Sequence, residues 1–161
     1  MSPRWSALLL GLAALATVPA QAADTTPEPA PEAAASPAAA VKPLAAAQTH
    51  IKAHRWQPAI DELRRVNASA DADWNNLMGY ALRKLAKPDL EGAQRHYDAA
   101  LRINPRHLGA LEYAGELALM KRDLATAEKH LAALTRLCTT PCEPLDDLRA
   151  AVQRYKAAPK P

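Results

Sequence analysis

Three alanines, Ala59, Ala93 and Ala127, stand 34 residues apart, and each keeps the same apolar company. Trp56, Leu90 and Leu124 come three residues before them. Leu63, Tyr97 and Leu131 follow four residues after, and Val66, Ala100 and Leu134 follow seven after. A fixed period of this size means one supersecondary unit stacked on copies of itself, because a single unit cannot bury its apolar face alone. Offsets of three, four and seven put these side chains on one helical stripe. The small residue lets a neighbouring helix approach closely, and the larger ones fill the space around it.

The pattern along the chain predicts helices throughout. Glycine is rare, runs of β-branched residues are missing, and the aromatics make up 4% with no Phe, which suits tightly packed helices better than a sheet. Pro43 opens a first helix to about residue 54, with Leu44, Ala47 and Ile51 inward. Pro58 falls in the first turn of a second, where a missing N–H costs nothing, and that helix ends near Asn67. A third, over about 71–85, follows the candidate caps Ser69 and Asp71. Lys87-Pro88-Asp89 turns into a fourth over 90–103, which Asn104-Pro105 stops. A fifth covers 106–121, and Asp123 caps a sixth that ends near Leu137. Leu145, Leu148, Val152 and Tyr155 mark a seventh, 145–156, with one apolar side.

Residues 76–85, Asn-Leu-Met-Gly-Tyr-Ala-Leu-Arg-Lys-Leu, followed by Ala93, Tyr97, Ala100 and Asn104-Pro105, resemble a tetratricopeptide repeat. The next unit supplies Gly115, Asp123-Leu124, Ala127, Leu131 and Leu134, and a weaker first unit has Ala47 where the others have Gly. The resemblance spans residues 43–137 and departs from the family at two places. Trp74 lies one residue early relative to Gly79, and the turn at 86–89 is two residues longer than usual. The resemblance implies an all-α fold: an α-solenoid of about three tetratricopeptide-type helix pairs with a C-terminal capping helix. Such a stack curves and offers a concave face to a peptide or partner protein.

In the family that face is lined by the first helix of each pair. Counting from Ala47, Gly79 and Gly115, the candidate partner-binding residues are Gln48 and Lys52, then Asp73, Asn76, Tyr80, Arg83 and Lys84, then Glu112 and Glu116. Asn and Arg hydrogen-bond an extended backbone without regard to its side chains, and Tyr is enriched in binding hot spots. Some relatives grip a C-terminal carboxylate with Lys and Asn on this face. Here Glu112 and Glu116 stand where cations would be needed, so a polar or mixed-charge peptide fits better.

The ends read differently. Arg4, the apolar stretch of 13 residues from Ser6 to Val18 and Ala20-Gln21-Ala22 have the order of a secretory signal cleaved after residue 22. The stretch is short of the roughly 20 residues that span a bilayer, so no stable membrane insertion is expected after cleavage. Residues 23–43, nearly all Ala, Pro, Thr and Glu, read as a flexible linker. Residues 44–158 then form the repeat domain, placed in the periplasm or secreted.

Charge and motifs narrow the function. Lys and Arg number 20 against 17 Asp and Glu, interleaved rather than striped, which does not point to nucleic acid. No Gly-rich phosphate loop, His-Glu-x-x-His or Gly-x-Ser-x-Gly is present, so neither an enzyme nor a cofactor is expected. Cys138 and Cys142 are the only thiols, and an even count in an exported chain favours a disulfide, which would pin the start of the capping helix. Two alternatives stay open. One is thiol-redox chemistry, which normally uses Cys-x-x-Cys at a helix start rather than this longer spacing at a helix end. The other is metal handling by the cysteines with His130, or by His50 and His54. The leading expectation is a non-enzymatic adaptor that holds a peptide or partner protein on its concave side. Self-association through the apolar edge of the first helix pair is a third reading.

Overall fold

Alanine is the strongest helix former and proline the strongest breaker, and the first helix shows how they balance. The computed structural model describes residues 37–159, with side chains from residue 44. The expected signal and residues 23–36 of the expected linker lie outside the described residues. Helix α1 runs Pro37–Lys52, starting six residues ahead of the predicted Pro43. Proline is tolerated in a first turn, so Pro37 opens the helix, and the alanines after it carry it through Pro43. Six further helices follow: α2 Trp56–Val66, α3 Ala72–Lys84, α4 Leu90–Ile103, α5 Leu108–Met120, α6 Leu124–Leu137 and α7 Glu143–Ala157.

The helices form antiparallel pairs, α1 with α2, α3 with α4 and α5 with α6, and α7 packs on α5 and α6. Helix α1 also touches α3, and α3 touches α5, whereas α2, α4 and α6 do not meet one another. The first helices therefore converge while the second helices splay, and the stack curves toward the α1–α3–α5 side. The periodic residues form its interior. Ala59, Ala93 and Ala127 have no exposed surface, nor do Leu63, Tyr97 and Leu134. Two apolar clusters result, one around α1–α4 that includes Ala114 and Leu117 of α5, and one around α5–α7, with Leu101 packed against both.

Glycine earns its place at two helix crossings. A Cβ on Gly79 would stand 2.7 Å from the Tyr97 ring, closer than two carbons approach, so only glycine lets α4 lie this near α3. At the equivalent Gly115 the nearest atoms come from α7 rather than from Leu131, the residue one period after Tyr97. Leucine is shorter than tyrosine, and Leu131 stays half-buried. Instead Leu148 of α7 fills the space, with its Cδ2 2.6 Å from where a Cβ would be. The capping helix thus supplies the side chain that lies against this glycine. Trp74 is buried, and its indole N–H donates to the Leu63 carbonyl at 2.8 Å, which fixes α3 against α2.

The turns repeat as well. His54 (φ 54°) and Arg122 (φ 64°) sit 68 residues apart, two periods, each in a three-residue turn within a pair. Such a tight reversal requires a left-handed residue, a position that glycine usually fills. The turn from α3 to α4 has the two extra residues noted above and needs no left-handed backbone. Helix starts follow the same period. Asp89 and Asp123 accept from the backbone N–H of Gly92 (2.8 Å) and Thr126 (2.9 Å), and Asp71 accepts from Trp74 at 2.7 Å. Of the two expected caps for α3, Asp71 takes the position, while the Ser69 carbonyl accepts from Asn75.

Between α6 and α7, Cys138 and Cys142 lie with their sulfurs at bonding distance and their Cα atoms 5.9 Å apart. Both pack against the second apolar cluster, beside the start of α7. Closing so short a loop contributes about 2 kcal/mol by loop entropy.

Arg55 occupies the capping position one period before Asp89, and α2 has no side-chain cap there. Arg55→Asp supplies both the missing acceptor and a favourable charge at the helix N-terminus. It is expected to raise unfolding stability by about 1 kcal/mol in urea titration. An unchanged midpoint would show that α2 gains nothing from a cap.

Candidate functional site

A helix returns to the same face every three or four residues, so Asn76, Tyr80, Arg83 and Lys84 share one side of α3. From α5, Glu112, Tyr113 and Glu116 face them. Aromatic rings join the two helices to the start of α2. Trp56 meets Tyr80 edge to face at 5.8 Å between centroids, Tyr80 lies 4.7 Å from Tyr113, and Tyr113 lies 6.3 Å from Tyr97. The rings are amphipathic, with wide faces for contact and hydroxyls for hydrogen bonds.

Arg83 is wedged into this row. Its guanidinium carbon is 5.6 Å from the Tyr80 centroid and 5.4 Å from that of Tyr113, and the residue is 6% exposed. Its Nη2 stands 2.7 Å from Glu116 Oε2. That ion pair engages Nη2, whereas Nε has no hydrogen-bond acceptor. The buried Tyr97 hydroxyl beside Arg83 lacks a partner too. Lys84 remains exposed with its ammonium 5.4 Å from the Tyr80 ring.

One turn earlier, Asn76 is 8% exposed and its Oδ1 has no hydrogen-bond partner. Gly109 passes close by, where a Cβ would meet Asn76 Nδ2 at 3.2 Å. Asp73 is tied to α5: His107 accepts from the Ala110 N–H through Nδ1 at 3.1 Å, so its Nε2 carries the proton and donates to Asp73 at 2.9 Å. This bond spans one period and clamps neighbouring pairs together.

Of the sequence-predicted residues, Tyr80, Arg83, Lys84 and Glu116 come together in one cluster, with Asn76 and Asp73 a turn away. Gln48 and Lys52 are exposed on α1, and no polar contact ties either one among the described residues. Glu112 is buried, 7% exposed. Burial, then the charges of Glu116 and Asp147, push its carboxyl up to about 8 against the pull of Arg83, so the protonated form is favoured at neutral pH. Burial likewise raises the hydroxyls of Tyr80, Tyr97 and Tyr113, which stay protonated.

Next to this cluster lies a cleft of about 480 Å³. Helix α3 contributes Arg83 and Lys84, α5 contributes Glu116, Leu119 and Met120, and α7 contributes Ala151, Arg154 and Tyr155. Sequence reasoning missed Tyr113, whose signal was its place two residues before Gly115, as Leu77 precedes Gly79. It missed Arg154 as well, because α7 stands outside the repeat and only its docking brings Arg154 to α3. Among the described residues no three His, Cys, Asp or Glu side chains converge as metal ligands, and no helix is long and apolar enough to cross a membrane.

The buried Glu112 makes stability depend on pH. Its folded value near 8 exceeds its value in an unfolded chain, about 4.5, so between those values the unfolded state binds fewer protons. The contribution is complete below about pH 4.5, is lost as pH rises toward 8, and is level beyond, at about 1.4 kcal/mol per unit of displacement. Glu112→Gln is expected to flatten this slope and to be more stable than the parent at pH 9, measured by urea unfolding at pH 5, 7 and 9. Parallel curves for the two proteins would place an ordinary carboxylate at this position.

No protein-family model and no curated relative matches the chain. A solved structure described as the first TPR of Spaghetti (RPAP3) bound to HSP90 peptide SRMEEVD is similar to it, at 18% identity and a TM-score of 0.62. The match covers 73% of this chain and 96% of that one. At this identity the likeness is one of fold: an α-solenoid of tetratricopeptide-type helix pairs closed by a capping helix.

Proposed function

We propose that the protein is a non-enzymatic adaptor that holds a peptide segment of a partner protein along α3 and α5, on the inner side of the stack. The observation that carries this reading is the pair of buried polar atoms with unmet bonding capacity on one face, Asn76 Oδ1 and Arg83 Nε. A buried polar group without a partner costs about 1–3 kcal/mol, and an extended backbone, with a donor and an acceptor at every residue, relieves that cost without reading side chains. The rings of Trp56, Tyr80 and Tyr113 beside them supply contact area at little entropic cost, since each has only two side-chain torsions. A peptide-bound structural neighbour supports the same use of the fold.

The adaptor reading is tested by a photo-crosslinker placed at the exposed Lys84, with a second at the exposed Glu128 on α6 as control. Asn76→Leu combined with Tyr80→Ala is expected to abolish the partner bands from Lys84 while leaving those from Glu128 intact. Bands from Lys84 that survive the double substitution would remove α3 as the docking face.

We also propose that the protein acts in the periplasm or outside the cell, on the strength of the Arg4, 6–18 and Ala20-Gln21-Ala22 pattern. There the compartment oxidises thiols, in keeping with the close pair Cys138 and Cys142. Intact mass of the protein from its native host is expected to correspond to a chain starting at Ala23. A full-length mass would assign it to the cytosol or to an uncleaved anchor.

A further inference from the structure

The cleft between α3, α5 and α7 differs chemically from the groove beside it. Its cations outnumber its acids. Lys84 and Arg154 stand exposed at the rim, and neither is paired with a carboxylate among the described residues. Arg83 lies in the wall, 6% exposed, with Nη2 paired to Glu116 and Nε lacking an acceptor. Glu116 is the single acid lining the cleft, and it faces Arg83 alone. The remaining lining is apolar. Met120 is 48% exposed, one of two large apolar side chains so exposed among the described residues, and Leu119 and Tyr155 continue its surface.

Together these observations point to one kind of occupant. Two unpaired cations recognise a carboxylate, with a buried guanidinium pre-positioned by packing behind them. Here Tyr80 and Tyr113 hold it between their rings. An exposed methionine, adaptable in shape, accepts an aliphatic side chain that would otherwise face water. A volume of about 480 Å³ has room for both.

We propose that this cleft is a specificity subsite that takes an Asp or Glu side chain adjacent to an aliphatic residue in the partner peptide, with Arg154 and Lys84 receiving the carboxylate and Met120 the aliphatic group. The proposal rests on the reading of the neighbouring groove as a peptide-binding face and names which peptides it selects. The acidic side chain enters between Lys84 and Arg154, beside the Arg83–Glu116 pair. Because Arg154, Tyr155 and Ala151 come from α7, the capping helix contributes to recognition as well as covering the end of the stack.

Selection of displayed random heptapeptides on the full mature chain tests this. The expected winners carry Asp or Glu next to Leu, Ile or Val. Their affinity, measured by fluorescence anisotropy on a labelled copy, is expected to fall about tenfold with Arg154→Glu and with Met120→Asp. Both residues are exposed, so an unchanged melting temperature serves as the folding control. Raising salt from 50 to 300 mM is expected to weaken binding to the parent more than to Arg154→Glu. Winners that are basic or lack acids, or that bind Arg154→Glu as tightly as the parent, overturn the subsite. If such winners still require Asn76 and Tyr80, the adaptor reading stands without it; if no peptide is enriched at all, both readings fall.

Discussion

The face of Tyr97 rests on the backbone of α3 at Gly79, and the spacing of the whole stack follows from that contact. Helices normally pack with their axes about 8–10 Å apart, the distance being set by the side chains between them. With no side chain on Gly79, a flat ring fits where a bulky aliphatic residue would push α4 away, and Ala93 and Ala100 on the same stripe keep the rest of the crossing thin. This closeness aims the next residues of α3, Tyr80 and Arg83, toward α5. A wider α3–α4 crossing would swing that face out of register with Tyr113 and Glu116.

The groove therefore depends on core geometry for its chemistry. Arg83 is buried against two rings and one carboxylate, an arrangement that costs desolvation and returns only part of it through the ion pair. Glu112 meets the same cost by taking up a proton, since three other carboxylates, Glu116, Asp147 and Glu143, oppose its charge and only Arg83 favours it. Asn76 and Tyr97 retain polar atoms with no hydrogen bond. Polar groups left in this condition at one face of an otherwise apolar stack are a local sacrifice of stability, and such sacrifices concentrate where proteins bind.

Much of this architecture was legible in the chain. The boundaries of α4 and α6 came out as predicted, because Asp89 and Asp123 are strong caps and Asn104-Pro105 is a firm stop. The start of α1 did not, since an alanine run weighs against a proline in a balance that local rules resolve poorly. The candidate face was legible in part. Spacing alone put Asn76, Tyr80, Arg83 and Lys84 on one side of α3, but periodicity does not say how deep a side chain sits. Arg83 and Glu112 stood among the candidate partner-binding residues and are buried, because depth depends on which side chains from other helices close over them.

What the sequence alone determined is the repeat: the 34-residue period, the small residues at the crossings, the aspartate caps and the helical stripe all follow from local spacing, which any stretch of chain carries within itself. Only the tertiary structure decided that Leu148 of α7 takes the place over Gly115 that Tyr97 holds over Gly79, and that Arg154 reaches the side of Lys84. Those contacts join residues from helices outside one repeat. Their distance apart is set by the accumulated curvature of the stack, a quantity that no single segment encodes.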